Sequence, residues 1–249
     1  MILDVDTGTD DAVAVMLARL SDTIDLIGCT TVWGNSAVEH TTANTLRVLG
    51  HIGRSDVPVH KGLGAPFGRR RPKLGEAEFL ARIHPPVLAL PDPVSSVRPE
   101  PVVRWLVDTI KASPEPVTLV PVAPMTNIAA AVTLDPSIVD NVEEVVIMGG
   151  AHDFGNSTAA AEGNIWHDPV AADVVFRASF RRIVLVPLDA THRALITADQ
   201  TRTLRSRGTP AATATADLID VRIAAHTTDQ PEPIPNSAAV HDPRMTGRY

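Results

Sequence analysis

The amino-acid sequence predicts an α/β fold: a mostly parallel central sheet with helices on both faces, an open sheet of the Rossmann type. Three observations predict it. Apolar runs of strand length alternate along the 249 residues with segments whose apolar positions recur at helical spacing. The strand-like runs read as buried, as strands covered on both faces do. The loops that follow them carry polar groups, which is where open parallel sheets build ligand sites. No internal repeat and no linker divides the chain, so residues 1–249 are read as one domain.

The elements follow in order. Met1-Ile2-Leu3 is a short buried strand, and Ala12 to Leu20 has the spacing of a helix, with Gly8 supplying the turn between them. Asp25 to Val32 reads as a second strand. Ser36-Ala37-Val38-Glu39 has the form of a capping box opening a helix to about His51. Pro58 to Lys61 is a short third strand. From Gly62 to Pro99 prolines, glycines and the run Arg69-Arg70-Arg71 break the pattern, with one helical turn expected around Glu76 to Ile83. Regular structure resumes with a helix over Val102–Ala112, a buried strand over Val117–Val122 and a helix over Asn127–Leu134. A further buried strand covers Val145–Met148, and residues 149–167 form a Gly/Asn-rich loop. Asp168-Pro169 starts a helix with an acidic N-cap and proline at the first helical position. Ile183–Pro187 is a strand, and two helices occupy 198–226.

Composition excludes several classes. The formal net charge of −7 argues against a nucleic-acid or anionic-membrane surface, which would need a basic stripe. No apolar run approaches the roughly 20 residues of a membrane span, and no N-terminal signal pattern precedes the first strand. The single cysteine, Cys29, cannot form an internal disulfide, so a reducing, cytoplasmic setting is expected.

Chemistry concentrates in Leu3-Asp4-Val5-Asp6-Thr7-Gly8-Thr9-Asp10-Asp11, where four aspartates fall between a strand and a helix. Carboxylates this crowded raise one another's pKa unless a cation or hydrogen-bond donors offset them. A hard divalent cation, calcium or magnesium, suits an all-oxygen site. An acidic turn at a helix N-terminus would explain Asp10 and Asp11 but not Asp4 and Asp6. The other strand-end loops bring Thr31, Trp33 and Asn35, then Pro124-Met125-Thr126-Asn127, then Asn156, Glu162 and Asn164, and finally His241-Asp242-Pro243. Thr126 stands at a helix start, where an N-cap is as good a reading as any other. Asn156, Glu162 and Asn164 could hydrogen-bond the hydroxyls of a pentose or simply belong to a polar surface loop.

These motifs resemble the nucleoside hydrolases of the inosine-uridine-preferring type, and the resemblance runs from residue 3 to residue 243. Asp-Val-Asp-Thr-Gly-Thr-Asp-Asp matches the family's N-terminal signature with all four aspartates in register. The resemblance implies hydrolysis of the N-glycosidic bond of a ribonucleoside, with Ca²⁺ held by Asp6, Asp11, the carbonyl of Thr126 and Asp242. It implies Asp6 as general base, and Asp10 on the ribose 2′-hydroxyl. Asn35, Met148, Asn156, Glu162 and Asn164 would line the sugar site. His241 is the first candidate for the acid that protonates the leaving base, and His84, in the base pocket, the second. A homo-oligomer, dimer or tetramer, is implied as well. Two departures stand out. Ile83-His84-Pro85-Pro86-Val87-Leu88 lacks the family's glycine-rich loop, and seven residues follow Asp242 where the family has more structure, so either a shortened member or a chain whose C-terminal part is missing is expected. Two rival readings differ in kind. One is a nucleoside- or sugar-binding member that has lost catalysis. The other is a haloacid-dehalogenase-type phosphatase, which would want a threonine where Gly8 stands and a downstream lysine.

Overall fold

The computed structural model describes residues 1–68 and 76–228. Six strands, β1 (Ile2–Val5), β2 (Gly28–Thr31), β3 (Val59–Lys61), β4 (Val117–Pro121), β5 (Val142–Met148) and β6 (Ile183–Val186), form one sheet in the order β3-β2-β1-β4-β5-β6. Every pairing is parallel. The strand order reverses between β1 and β4, and such a switch point opens a crevice beyond the strands' carboxyl ends.

Ten helices join the described strands: α1 (Thr9–Leu20), α2 (Val38–His51), α3 (Glu76–Ile83), α4 (Val102–Ala112), α5 (Thr126–Leu134), α6 (Gly163–His167), α7 (Pro169–Arg177), α8 (Leu188–Thr191), α9 (Ala198–Arg205) and α10 (Pro210–Thr228). Alternate residues of a strand face opposite sides, and β1 shows how this divides the core. Ile2 packs with Leu106 and Ile110 of α4, Ile128 of α5 and Val175 of α7. Leu3 and Val5 pack with Val15 of α1, Leu49 of α2 and Leu218 of α10. Each such side chain contributes about 1.5–3 kcal/mol by leaving water, so the two layers clamp β1 from both faces. Cys29 of β2 is buried in the second layer, where burial and the nearby Asp4 push its thiol up to about 12.

The elements match the expected order, with differences at their ends. α1 starts at Thr9, three residues ahead of Ala12, because Asp11 Oδ2 turns back to accept the Gly8 N–H at 3.0 Å and closes the first turn. The capping box at Ser36 does not form. Ala37 is the N-cap, and the Glu39 carboxylate is drawn instead to Lys61 Nζ of β3, 2.6 Å away. β5 begins at Val142, pulled out to pair with Val117 of β4. Within the loop expected over 149–167, Glu162 nucleates the short helix α6. No helix among the described residues is long and apolar enough to cross a membrane.

Candidate active site

The aspartate loop leaves the carboxyl end of β1, the central strand beside the switch point. Asp6, Asp10 and Asp11 all lie there, and Asn35 from the loop after β2 reaches across to them. Asn35 N–H donates to Asp6 Oδ2 at 2.7 Å, and its Nδ2 donates to the Asp6 carbonyl and to Asp11 Oδ2, both at 3.3 Å. Gly34 makes this approach possible, since a Cβ there would overlap the Asp6 carboxylate. Asn35 is thus a clamp on two carboxylates.

The electrostatics follow from burial. Asp6 and Asp11 are almost wholly inaccessible. Burial above all, then the charge of Asp11, holds Asp6 well above the usual carboxylate range, while the Asn35 N–H opposes the shift. Burial and the charge of Asp10 raise Asp11 to about 7, and the Gly8 N–H and the guanidinium of Arg222 pull the other way. Beneath them, Asp4 Oδ1 accepts from Thr30 Oγ1 at 2.5 Å and Asn127 Nδ2 at 2.8 Å, and burial raises this carboxyl to about 7. A set of buried carboxylates with oxygen donors only, held above their ordinary pKa by desolvation, is the chemistry that a hard cation relieves.

His84, just past α3, packs against the same loop. Its Nδ1 lies 3.2 Å from the Thr9 nitrogen and 3.5 Å from Asp10 Oδ1. Gly8 admits the ring, because a Cβ at that position would overlap it.

A second group gathers at the ends of β4 and β5. Asn164 Nδ2 donates to the carbonyls of Val122 and Met148, both at 3.1 Å, and lies 3.4 Å from Met148 Sδ. The Glu162 carboxylate accepts three backbone N–H groups, from Gly150 at 3.0 Å, Asn164 at 2.9 Å and Ile165 at 3.2 Å. Those bonds offset only part of the cost of its burial, and its carboxyl is raised. Asn156 sits exposed on the loop folded over α6, whose N–H groups from Asn156 to Thr158 converge on the Ala161 carbonyl.

Thr126 opens α5 at its first position, with Met125 as N-cap. Its hydroxyl donates to Asp168 Oδ2 at 2.8 Å and receives Trp33 Nε1 at 3.4 Å. Asp168 also accepts the N–H groups of Phe67 and Ala171. This network, which joins the β2, β3 and β4 loops to α7, holds the Thr126 backbone in place. Asp168 is legible in the sequence only as a cap, and the contact of Arg222 with Asp10 is not legible there. His241 and Asp242 lie outside the described residues.

Among the described residues, His152, Asp153 and Asp189 also bring ligand atoms within 4.8 Å of one another. Both Asp189 oxygens there accept backbone N–H groups, and His152 Nδ1 bonds Asp153 at 2.7 Å, so ordinary hydrogen bonding accounts for the group.

The family profile described as inosine-uridine preferring nucleoside hydrolase matches residues 1–247. The chain belongs to this nucleoside hydrolase family. It is 40% identical over 243 residues to the pyrimidine-specific ribonucleoside hydrolase RihA of Shewanella woodyi, covering 98% of this chain and 76% of that one. The corresponding protein of Photobacterium profundum is 37% identical over 243 residues, with 98% and 77% covered. Among solved structures, the purine-preferring ribonucleoside hydrolase from Gardnerella vaginalis superposes with a TM-score of 0.87 at 34% identity, over 98% of this chain and 78% of that one. A plant nucleoside hydrolase gives a TM-score of 0.80 at 28% identity, over 98% and 76%. The six-stranded parallel sheet is the fold these hydrolases share with the chain, and the enzyme class is nucleoside N-ribohydrolase.

Proposed function

We propose that this nucleoside hydrolase cleaves the N-glycosidic bond of ribonucleosides with the help of Ca²⁺ at the aspartate loop. The observation that carries the reading is the convergence of Asp6, Asp10, Asp11 and Asn35 at the switch point between β1 and β4. Asp6, Asp11, the Thr126 carbonyl and Asp242 would hold the cation. When bound, calcium supplies the charge that keeps the carboxylates ionised and acidifies water.

The chain's own residues supply the rest. Asp6 takes one proton from water as the water oxygen bonds to C1′ of the ribose. The electron pair of the C1′–N bond leaves with the base, which takes up a proton; His241 is the candidate donor. The sugar gains oxocarbenium character on the way, as in glycosidases. Asp10 orients the 2′-hydroxyl. With Nδ2 of Asn164 committed to Val122 and Met148, its Oδ1 is the atom offered to a ribose hydroxyl. The three backbone N–H groups fix Glu162 beside it, and Asn156 on the flanking loop completes the grip on the sugar. Such contacts accelerate turnover only where they tighten in the transition state. A buried Cys29 with an unreactive thiol suits a reducing cytoplasm.

Uridine and cytidine are the first substrates to test, because the RihA relatives are described as pyrimidine-specific. Inosine belongs in the same assay, because the Gardnerella vaginalis enzyme is described as purine-preferring. Ribose release should require a divalent cation, stop with EDTA and return with calcium. Nucleoside binding without ribose release under any of these conditions would make the chain a binding protein.

A further inference from the structure

The buried face of α10 runs through Ala214, Leu218 and Arg222 at four-residue spacing. An arginine therefore stands where the helix stripe calls for an apolar side chain. Only 3% of that side chain is exposed, and a guanidinium is costly to bury unless it is paired. Its Nη1 lies 3.2 Å from Asp10 Oδ2 and 2.9 Å from His84 Nε2. One group thus ties α10 to the first turn of α1 and to the residue that follows α3.

The chemistry of the second contact fixes the imidazole. A guanidinium has N–H donors and no acceptor, so His84 Nε2 must present its lone pair to Nη1. The ring proton then sits on Nδ1, which faces Asp10 Oδ1 and Thr9 Oγ1, each 3.5 Å away. The Thr9 N–H also donates to Nδ1 at 3.2 Å, so a donor faces each ring nitrogen; the guanidinium, charged and closer at 2.9 Å, is the stronger and decides the tautomer. The opposite tautomer would satisfy Thr9 but set Nε2–H against the guanidinium.

We propose that Arg222 is a positioning residue of the hydrolytic site, holding Asp10 towards the ribose and locking His84 with its lone pair on Nε2. His84 then shapes the pocket, and the proton for the departing base comes from elsewhere. The catalytic half of this inference rests on the hydrolase reading; the tautomer lock does not.

Arg222→Met and Arg222→Lys, made in the full chain, test both halves. Nitrogen NMR of labelled histidine, with His84 assigned from His84→Gln, reads the tautomer directly. The wild-type ring is expected as Nδ1–H. In R222M it should move towards Nε2–H, as Nδ1 turns to accept the Thr9 N–H. On uridine, kcat of R222M should fall about tenfold or more with KM changed less than about threefold, the pattern of lost transition-state positioning. R222K, whose ammonium also donates and cannot accept, should recover most of kcat and the wild-type tautomer. A wild-type ring protonated at Nε2 overturns the lock, and this measurement needs no variant to fold. Wild-type kcat in R222M overturns the positioning role. If the wild-type chain turns over no nucleoside, the hydrolase reading and the catalytic half both fall, while the NMR result still decides the lock.

Discussion

Asp6 is buried in the aspartate loop, gripped at Oδ2 by the Asn35 N–H and crowded by Asp11. Exchanging it for asparagine keeps the side chain's shape and removes the proposed proton acceptor together with one charge of the proposed cation site. Asp6→Asn should therefore lower kcat by well over tenfold, a barrier rise above about 1.4 kcal/mol, while far-UV circular dichroism stays unchanged. Retention of more than about a tenth of wild-type kcat would move the base to another residue. Glu162 teaches a related lesson at the same scale. Sequence offers it as a free hydroxyl-binding carboxylate, whereas three backbone N–H groups already claim it, so it also holds α6 and Asn164 in place.

The connecting elements owe their placement to Asp168, which caps α7 while accepting from Thr126 and Phe67. Removing it leaves two buried donors, the Thr126 hydroxyl and the Ala171 N–H, and the part-buried Phe67 N–H to find other partners, at about 1–3 kcal/mol for each buried one left unsatisfied. Asp168→Ala should destabilise the chain by about 3 kcal/mol in urea unfolding, with KM for nucleoside raised because Thr126 loses its support. A loss below about 1 kcal/mol would show that water replaces the carboxylate easily. Element-scale placement also marks what the amino-acid order makes legible. The four aspartates could be read because covalent spacing alone puts them in one turn, and Gly8 and the apolar run after it announce the helix. Asp168-Pro169 could be read as a cap for the same local reason. The supposed box at Ser36 failed because Lys61 reaches Glu39 from another strand, and no local pattern reports that. The meaning of Arg222 depends on where α10 packs, and the amino-acid order signals it only as a charged residue four positions after Leu218.

Taken as a whole, the molecule buries Asp4, Asp6 and Asp11 together at the end of β1, and this ties its stability to pH. An unfolded aspartate titrates near pH 3.9. In the folded, metal-free chain Asp11 titrates near 7 and Asp6 also lies well above its ordinary value. Between those limits the folded state holds protons that the unfolded state has released, so stability falls as pH rises from about 4 to about 7. Calorimetry of the metal-free protein should show these groups lowering the melting temperature from pH 5 to pH 8. Calcium should restore it at pH 8 and bind more tightly there than at pH 5, because protons and cation compete for the same oxygens. A melting temperature that climbs over this range in metal-free buffer would mean that other groups control it. The burial of Cys29 has a consequence of a more practical kind. With its one thiol sealed in the core and pushed up to about 12, the wild-type chain presents nothing to a maleimide dye. A cysteine introduced at exposed Asn156 or Asp217 would therefore be the sole attachment point, and a fluorophore there would report what the loop over α6 or the outer face of α10 does as nucleoside arrives.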